Sequence, residues 1–230
     1  MFKLVKSIIV ETISRFPEIK PLLSEKALKA IGGYQQIRDN YFVAVYDSAQ
    51  GYLESSRPTT AFRNRFSEAM TSAFTDAVYL GYENAGGELP LDPDTSSWLS
   101  ERIVMERGNI DSLFERLFSL RREEGFSAED IISEANGRAN GYAATLDSIY
   151  QEAKMRGGRN ATLIFAGRPG KDSCPTCRRL EGKRHRISWI IENDMIPRPG
   201  NEKFICGGWN CHHYWMNPLT GEEYSFGEWL

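Results

Sequence analysis

The sequence predicts a mainly α protein, with a helical N-terminal domain over residues 1–160 followed by a small α+β C-terminal module over residues 161–230. Three observations carry this expectation. Apolar residues recur at three- and four-residue steps through most of the first 156 positions. Glycine and proline interrupt that pattern where helices would end, and all four cysteines lie at or beyond Cys174. A chain of 230 residues is long enough for a domain plus a small module.

The first helix is expected from Phe2 to Phe16, where Phe2, Val5, Ile9, Ile13 and Phe16 share one face before Pro17 ends it. Ser24 can cap a short second helix that Gly32-Gly33 closes. A longer helix then carries Ile37, Tyr41, Val45, Ala49 and Leu53 on one side, up to the break at Arg57-Pro58. Thr60 is the expected cap of the next, in which Phe62, Phe66, Met70, Phe74, Val78 and Tyr82 recur at every fourth position before Gly86-Gly87. Such an aromatic and methionine stripe can suggest a cofactor box, but a helix core face explains it without any ligand.

A Gly/Pro/Asp-rich loop runs from Ala85 to Asp94. Thr95 or Ser96 then opens a charged helix reaching about Glu124, whose Glu101, Arg102, Glu106, Arg107, Glu115 and Arg116 read as a solvated face. Ser127 with Asp130 forms a capping arrangement for a helix that Gly157-Gly158 terminates. On it, Ala135, Ala139 and Ala143 make a small-residue strip along which another element can approach closely. Ala161 to Ala166 reads as one short buried strand, followed by the Gly167-Arg168-Pro169-Gly170 turn.

The composition, 41% hydrophobic and 26% charged, excludes a disordered chain. The apolar run at Ile8 to Val10 is too short for a signal-peptide core or a membrane span, so a cytoplasmic site of synthesis and no membrane contact are expected. A net charge of −3 gives no general attraction to nucleic acid or anionic lipid. Locally the balance reverses: between Arg168 and Arg186 there are seven Lys or Arg and two acids, Asp172 and Glu181. That stretch can attract phosphate, meet an acidic partner surface or face water. Partner surface and solvent rank above nucleic acid, since no recognition helix or aromatic-basic alternation accompanies it.

The cysteines carry the chemistry. Cys174-Pro-Thr-Cys177 is a knuckle in which two thiolates can converge on one ion, with the proline pre-setting the turn. The second cluster reads Cys206-Gly-Gly-Trp-Asn-Cys211-His212-His213. Two pairs of soft donors separated by a loop meet the requirement of a closed tetrahedral zinc site. Cys174, Cys177, Cys206 and Cys211 are the expected ligands of a structural zinc, with His212, His213 and His185 as alternative donors. The competing view, buried thiols or disulfides formed outside the cell, leaves the paired clustering unexplained. Catalytic zinc would require a nearby general base, and neither H-x-E nor H-E-x-x-H is present, so no enzymatic role is expected. Zinc would also staple a module poor in apolar periodicity, around which Trp189, Trp209, Trp215, Trp229, Tyr214, Tyr224 and Phe226 can pack.

The stretch D-S-C-P-T-C-R-R-L-E-G-K from Asp172 to Lys183, followed by C-G-G-W-N-C-H-H-Y-W from Cys206 to Trp215, resembles the C-terminal signature of the phage Mu F-like head morphogenesis family. The likeness covers roughly Ser127 to Met216. His212 stands where that family usually has Arg, and Cys206 where many members have a more closely spaced His. The resemblance implies a minor head protein of a tailed-phage virion, assembled in the host cytoplasm. Its partners would be the portal or major capsid protein, and it would be present in multiple copies in a symmetric assembly. Packaged DNA would be a further contact, through the stretch from Arg168 to Arg186. The alternatives from other classes are a zinc-containing nucleic-acid-binding protein and an HNH-like nuclease using His212 or His213, although only about 17 residues follow His213 to supply the rest of a nuclease site.

Overall fold

The computed structural model describes residues 25–54, 60–122, 127–158, 160–167, 173–208 and 211–226. Within them the chain is mainly helical and carries one small antiparallel sheet near its C-terminal end. The helix expected from Phe2 to Phe16 and the cap at Ser24 lie outside the described residues.

Helix α1 spans Glu25–Glu54 without a break at Gly32-Gly33, so one helix stands where two were expected. Glycine disfavours a helix interior by about 1 kcal/mol relative to alanine. Tertiary packing outweighs that here: Tyr41, Val45 and Ala49 are buried, and Tyr34 stacks on Tyr150 with ring centroids 4.0 Å apart. The side chain of Leu53 lies outside the described residues. Helix α2, Thr60–Asn84, buries Phe66, Met70, Phe74, Val78 and Tyr82, so the four-residue stripe is a core face.

Helix α3, Pro93–Leu120, starts earlier than expected. Asp92 is its N-cap, accepting from the backbone N–H of Thr95 at 3.0 Å, with proline at the first helical position where a missing N–H does no harm. The expectation of a solvated charged face on α3 fails at two positions. Glu106 is 4% exposed, and burial lowers the pKa of Arg102 from its ordinary value. Both lie on the side of α3 turned toward the other helices; a charge pattern alone does not reveal that side. Helix α4, Ala128–Gly157, begins with the full capping box of Ser127 and Asp130.

These four helices share one core, built from Tyr41, Phe66, Phe74, Ile110, Leu117 and Leu146 among others. The α2/α4 pair is tight, but glycines make it so at the described positions. A Cβ on Gly157 would fall 2.2 Å from the Tyr82 carbonyl oxygen, and one on Gly81 2.8 Å from that of Tyr150. The side chains of Ala135, Ala139 and Ala143 lie outside the described residues. Gly157→Ala should therefore force the helices apart and lower stability by about 1–3 kcal/mol in a urea titration. An unchanged midpoint would contradict the close approach.

The last turn of α4 leaves this core, and Met155 enters a second one with Leu163, Phe165, Ile187, Ile190, Phe204 and Trp215. Strand β1 spans Thr162–Gly167, β2 Arg184–Arg186, β3 His213–Met216 and β4 Glu223–Tyr224, in the spatial order β2-β1-β3-β4 and antiparallel throughout. Only β1 was expected from the sequence. Two short helices, α5 (Pro175–Leu180) and α6 (Ile187–Glu192), complete the module. Alternation along β1 and β3 sends Leu163, Phe165, His213 and Trp215 to the buried face. The indole N–H of Trp215 donates to the Met195 carbonyl at 2.7 Å. Trp189 and Tyr214 are half-buried, while Trp209 and Trp229 lie outside the described residues.

Candidate metal centre

Two knuckles are built locally and then brought together by the sheet. In the first, Cys174 is the N-cap of α5, with Pro175 at the opening helical position, and its Sγ accepts from the Cys177 N–H at 3.5 Å. Helical geometry returns the Cys177 side chain to the same side as Cys174, so both sulfurs face one point. In the second, Gly207 and Gly208 take φ values of 62° and 72°, a conformation that side chains with a Cβ rarely adopt. Gly208 is required for a further reason. A Cβ there would fall 1.9 Å from the Arg198 carbonyl oxygen. Cys211 stands two residues before His213, the first residue of β3.

All four cysteines are reduced, and their sulfurs converge with His213. The donor atoms form two triads, Cys174, Cys177 and Cys206, and Cys177, Cys211 and His213, each with all members within 4.8 Å of one another. Cys177 belongs to both. Its Sγ lies 3.6 Å from that of Cys211, close to the edge of about 3.8 Å expected for a tetrahedron with metal–sulfur bonds near 2.3 Å. The cluster can therefore hold a metal ion. Of the alternative donors, only His213 is in place. The His185 ring stacks on Trp189 at 3.8 Å, and neither His185 nor His212 joins a triad.

His213 is 5% exposed and held on three sides. Its Nε2 is 3.0 Å from Ser173 Oγ, its Nδ1 is 3.9 Å from Cys211 Sγ, and its ring lies parallel to Phe165 with centroids 5.4 Å apart. Gly167 makes room for it, since a Cβ there would sit 2.7 Å from Nε2. Gly167 is the last residue of β1, and the rest of the turn expected there, Arg168-Pro169-Gly170, lies outside the described residues.

The electrostatics favour thiolates at two positions. The Cys211 thiol is lowered to about 5 by the hydrogen bond from Cys177, against burial and with help from the His213 backbone N–H and side chain. At Cys174 burial raises the thiol, but donors from Cys177 and Cys206 overcome it and the net direction is down. Cys177 is pushed up, first by its bond to Cys211 and then by burial, and Cys206 is raised by burial. A proton on Cys177 shared with Cys211 is what a metal cation would displace, because the thiolate is the metal ligand.

Sequence reasoning passed over two residues, of which Thr176 ties the knuckles together and Asn201 holds the loop leading to the second. Thr176, buried between the first two cysteines, accepts from the Ile205 N–H at 3.3 Å, beside Cys206. Asn201, 4% exposed, donates to the carbonyls of Asp194 and Ile196 at 2.8 and 2.7 Å and accepts from the Lys203 N–H at 2.9 Å. A threonine within C-P-T-C carries no signal of its own. Its role depends on a chain segment 29 positions away. Around the centre, Arg178, Arg179, Lys183, Arg184 and Arg186 of the basic stretch are all exposed, on α5, the following turn and β2; Arg168 and Lys171 lie outside the described residues.

Among the described residues no helix is long and apolar enough to cross a membrane. No family model, curated protein or solved structure matches the chain.

Proposed function

We propose that this protein is a structural minor head component of a tailed-phage virion, and that its cysteine centre holds one structural zinc ion. The observation that carries the reading is the convergence of the cysteines of the two segments on which the family resemblance rests, Cys174 and Cys177 with Cys206 and Cys211, on one half-buried to buried set of donors. Zinc fits because four thiolates and one imidazole are soft-to-borderline donors, and zinc accepts tetrahedral sulfur and nitrogen ligation without redox chemistry. Cys174, Cys177, Cys206 and Cys211 would hold it, with His213 as the histidine positioned to substitute for one of them or to hydrogen-bond Cys211.

The donors outnumber the four positions of tetrahedral zinc, and the second nitrogen of His213 is engaged by Ser173. A site of that kind leaves no coordination position for a reacting water, which favours scaffolding over turnover. Once held, the ion would fix the loop between the knuckles and present the exposed cations of α5 and β2 on a rigid surface. The portal or major capsid protein would meet this surface or the helical domain.

The test is co-purification. The tagged protein, expressed with the head genes of its own phage, should sediment with assembled particles and appear in a cryo-EM map near the portal vertex. Particles that assemble normally without it, together with a chain that stays wholly in the soluble fraction, would remove this reading.

A further inference from the structure

An open cleft of about 540 Å³ lies between α3 and α4, closed at one end by Arg198 and Pro199 of the module. Its volume falls within the range of small-ligand sites, roughly 300–1,000 Å³. Four guanidinium groups line it, those of Arg102, Arg116, Arg138 and Arg198, against the single carboxylate of Glu106. The geometry points to a binding site for a small soluble oxyanion, a phosphate or a carboxylate group, gripped chiefly by Arg102 and Arg198.

Arg102 carries the argument. Its side chain is 17% exposed, yet its ion pair with Glu106 is long, at 4.0 Å, and its Nε is buried with no hydrogen-bond partner. Burial lowers its pKa from the ordinary value, against the raising effect of the Glu152, Glu106 and Asp194 carboxylates, and the neighbouring Arg198 charge adds to the lowering. Glu106 is itself engaged by Asn109, whose Nδ2 donates to it at 2.9 Å. A guanidinium presents a planar fork of donors suited to two oxygens of one ligand, and an unfilled buried fork is costly.

Arg198 faces the same space from the other side. It meets Asp194 at 2.6 Å and Glu152 at 4.0 Å through one nitrogen, Nη1, so the other donors of its fork are not consumed by these pairs. Its position is set by the module. The Gly200 N–H donates to the Gly207 carbonyl at 2.8 Å, and Gly208 packs directly on the Arg198 backbone. Arg138 adds charge at the rim, paired through its Nε with the exposed Glu134 at 3.3 Å. This inference stands apart from the virion reading, since no part of it requires a capsid.

Calorimetric titration of the full chain with inorganic phosphate, and separately with malonate, at constant ionic strength tests it. Saturable binding of one anion per chain is expected, and the stronger of the two identifies the ligand class. Arg198→Gln and Arg102→Gln should each weaken binding by about tenfold or more, the loss of one charge-assisted contact, while Arg178→Gln on the exposed basic surface should leave it unchanged. Because Arg102→Gln can disturb folding, NMR of the unaltered protein supplies a second readout. Shifts should appear at the Arg102 Nε–H and at the backbone of Gly141 and Thr145. No saturable binding of either anion, or shifts confined to Arg178, Arg179 and Arg184, would overturn the proposal.

Discussion

Cys177→Ser will strip the metal from the C-terminal module and unfold it while the four-helix core stays folded. Cys177 is the donor shared by both triads and is 1% exposed, so its loss removes the one sulfur that links them and leaves two separate pairs, Cys174 with Cys206 and Cys211 with His213. In structural zinc sites the binding free energy, about 10–16 kcal/mol in isolated finger peptides, is coupled to folding. The second core is small and depends on segments such as 193–208 that have almost no regular structure of their own. Metal analysis should fall to background, and the fluorescence of buried Trp215 should shift red. Far-UV circular dichroism should keep most of its helical signal, because the aromatic core of α1 to α4 does not touch the cysteines. His213→Gln should be milder, weakening affinity by about 10–100-fold as outer-shell changes do. Wild-type protein that carries no metal when purified without chelator, or a Cys177→Ser protein with unchanged metal content, would contradict the centre as described.

Glu152→Ala is expected to destabilise the whole chain by about 3–5 kcal/mol, the usual result of removing one member of a buried ion pair. Glu152 is 2% exposed and sits on α4 where the two cores meet. One oxygen accepts from Arg156 Nη2 at 2.9 Å, and the other faces Arg198 at 4.0 Å. Arg156 also lies over the Trp98 ring at 4.4 Å, with its Nε buried and unpartnered. Truncating the glutamate would leave that guanidinium buried with only a ring face for compensation. The double change Glu152→Ala with Arg156→Met should recover much of the loss, because it removes the orphaned charge as well. Urea unfolding of the single and double variants measures both effects. A single variant within about 0.5 kcal/mol of the parent, the ordinary range for surface changes, would show that the junction bears no electrostatic stress.

The helices were largely legible because their apolar residues repeat with the period of the helix itself. The stripe from Phe62 to Tyr82 needs only one helix face to be buried, and burial against any partner satisfies it. The capping box at Ser127 was legible for a similar reason, since its partners lie three residues apart. Gly32-Gly33 misled because local propensity at two positions was outweighed by aromatic packing along α1. The charged face of α3 misled because Glu106 and Arg102 look like their exposed neighbours, and only the placement of α4 and of the loop at Arg198 buries them.

The candidate site was legible in its donors but not in its assembly. Paired cysteines declare that a metal can be held, yet three histidines competed in the sequence, and only the sheet register separates them. His213 and His185 both pair with residues of the same face of β1, but at opposite ends: Gly167 brings His213 beside Cys211, whereas Leu163 brings His185 against Trp189 and Trp215, away from the sulfurs. Strands β2, β3 and β4 are four residues or fewer, too short for an alternation to register as a pattern.

By itself, then, the amino-acid order determined most of the long helices, the capping box at Ser127, and which sulfurs are available. Each of those is set by interactions within a few residues. Tertiary structure alone decided that α4 runs through both cores, that the two knuckles meet at Cys177 with His213 beside them, and that Arg102, Glu106 and Glu152 are charges removed from water. Those outcomes depend on what chain segments far apart in sequence do to one another's solvation, and no local pattern records that.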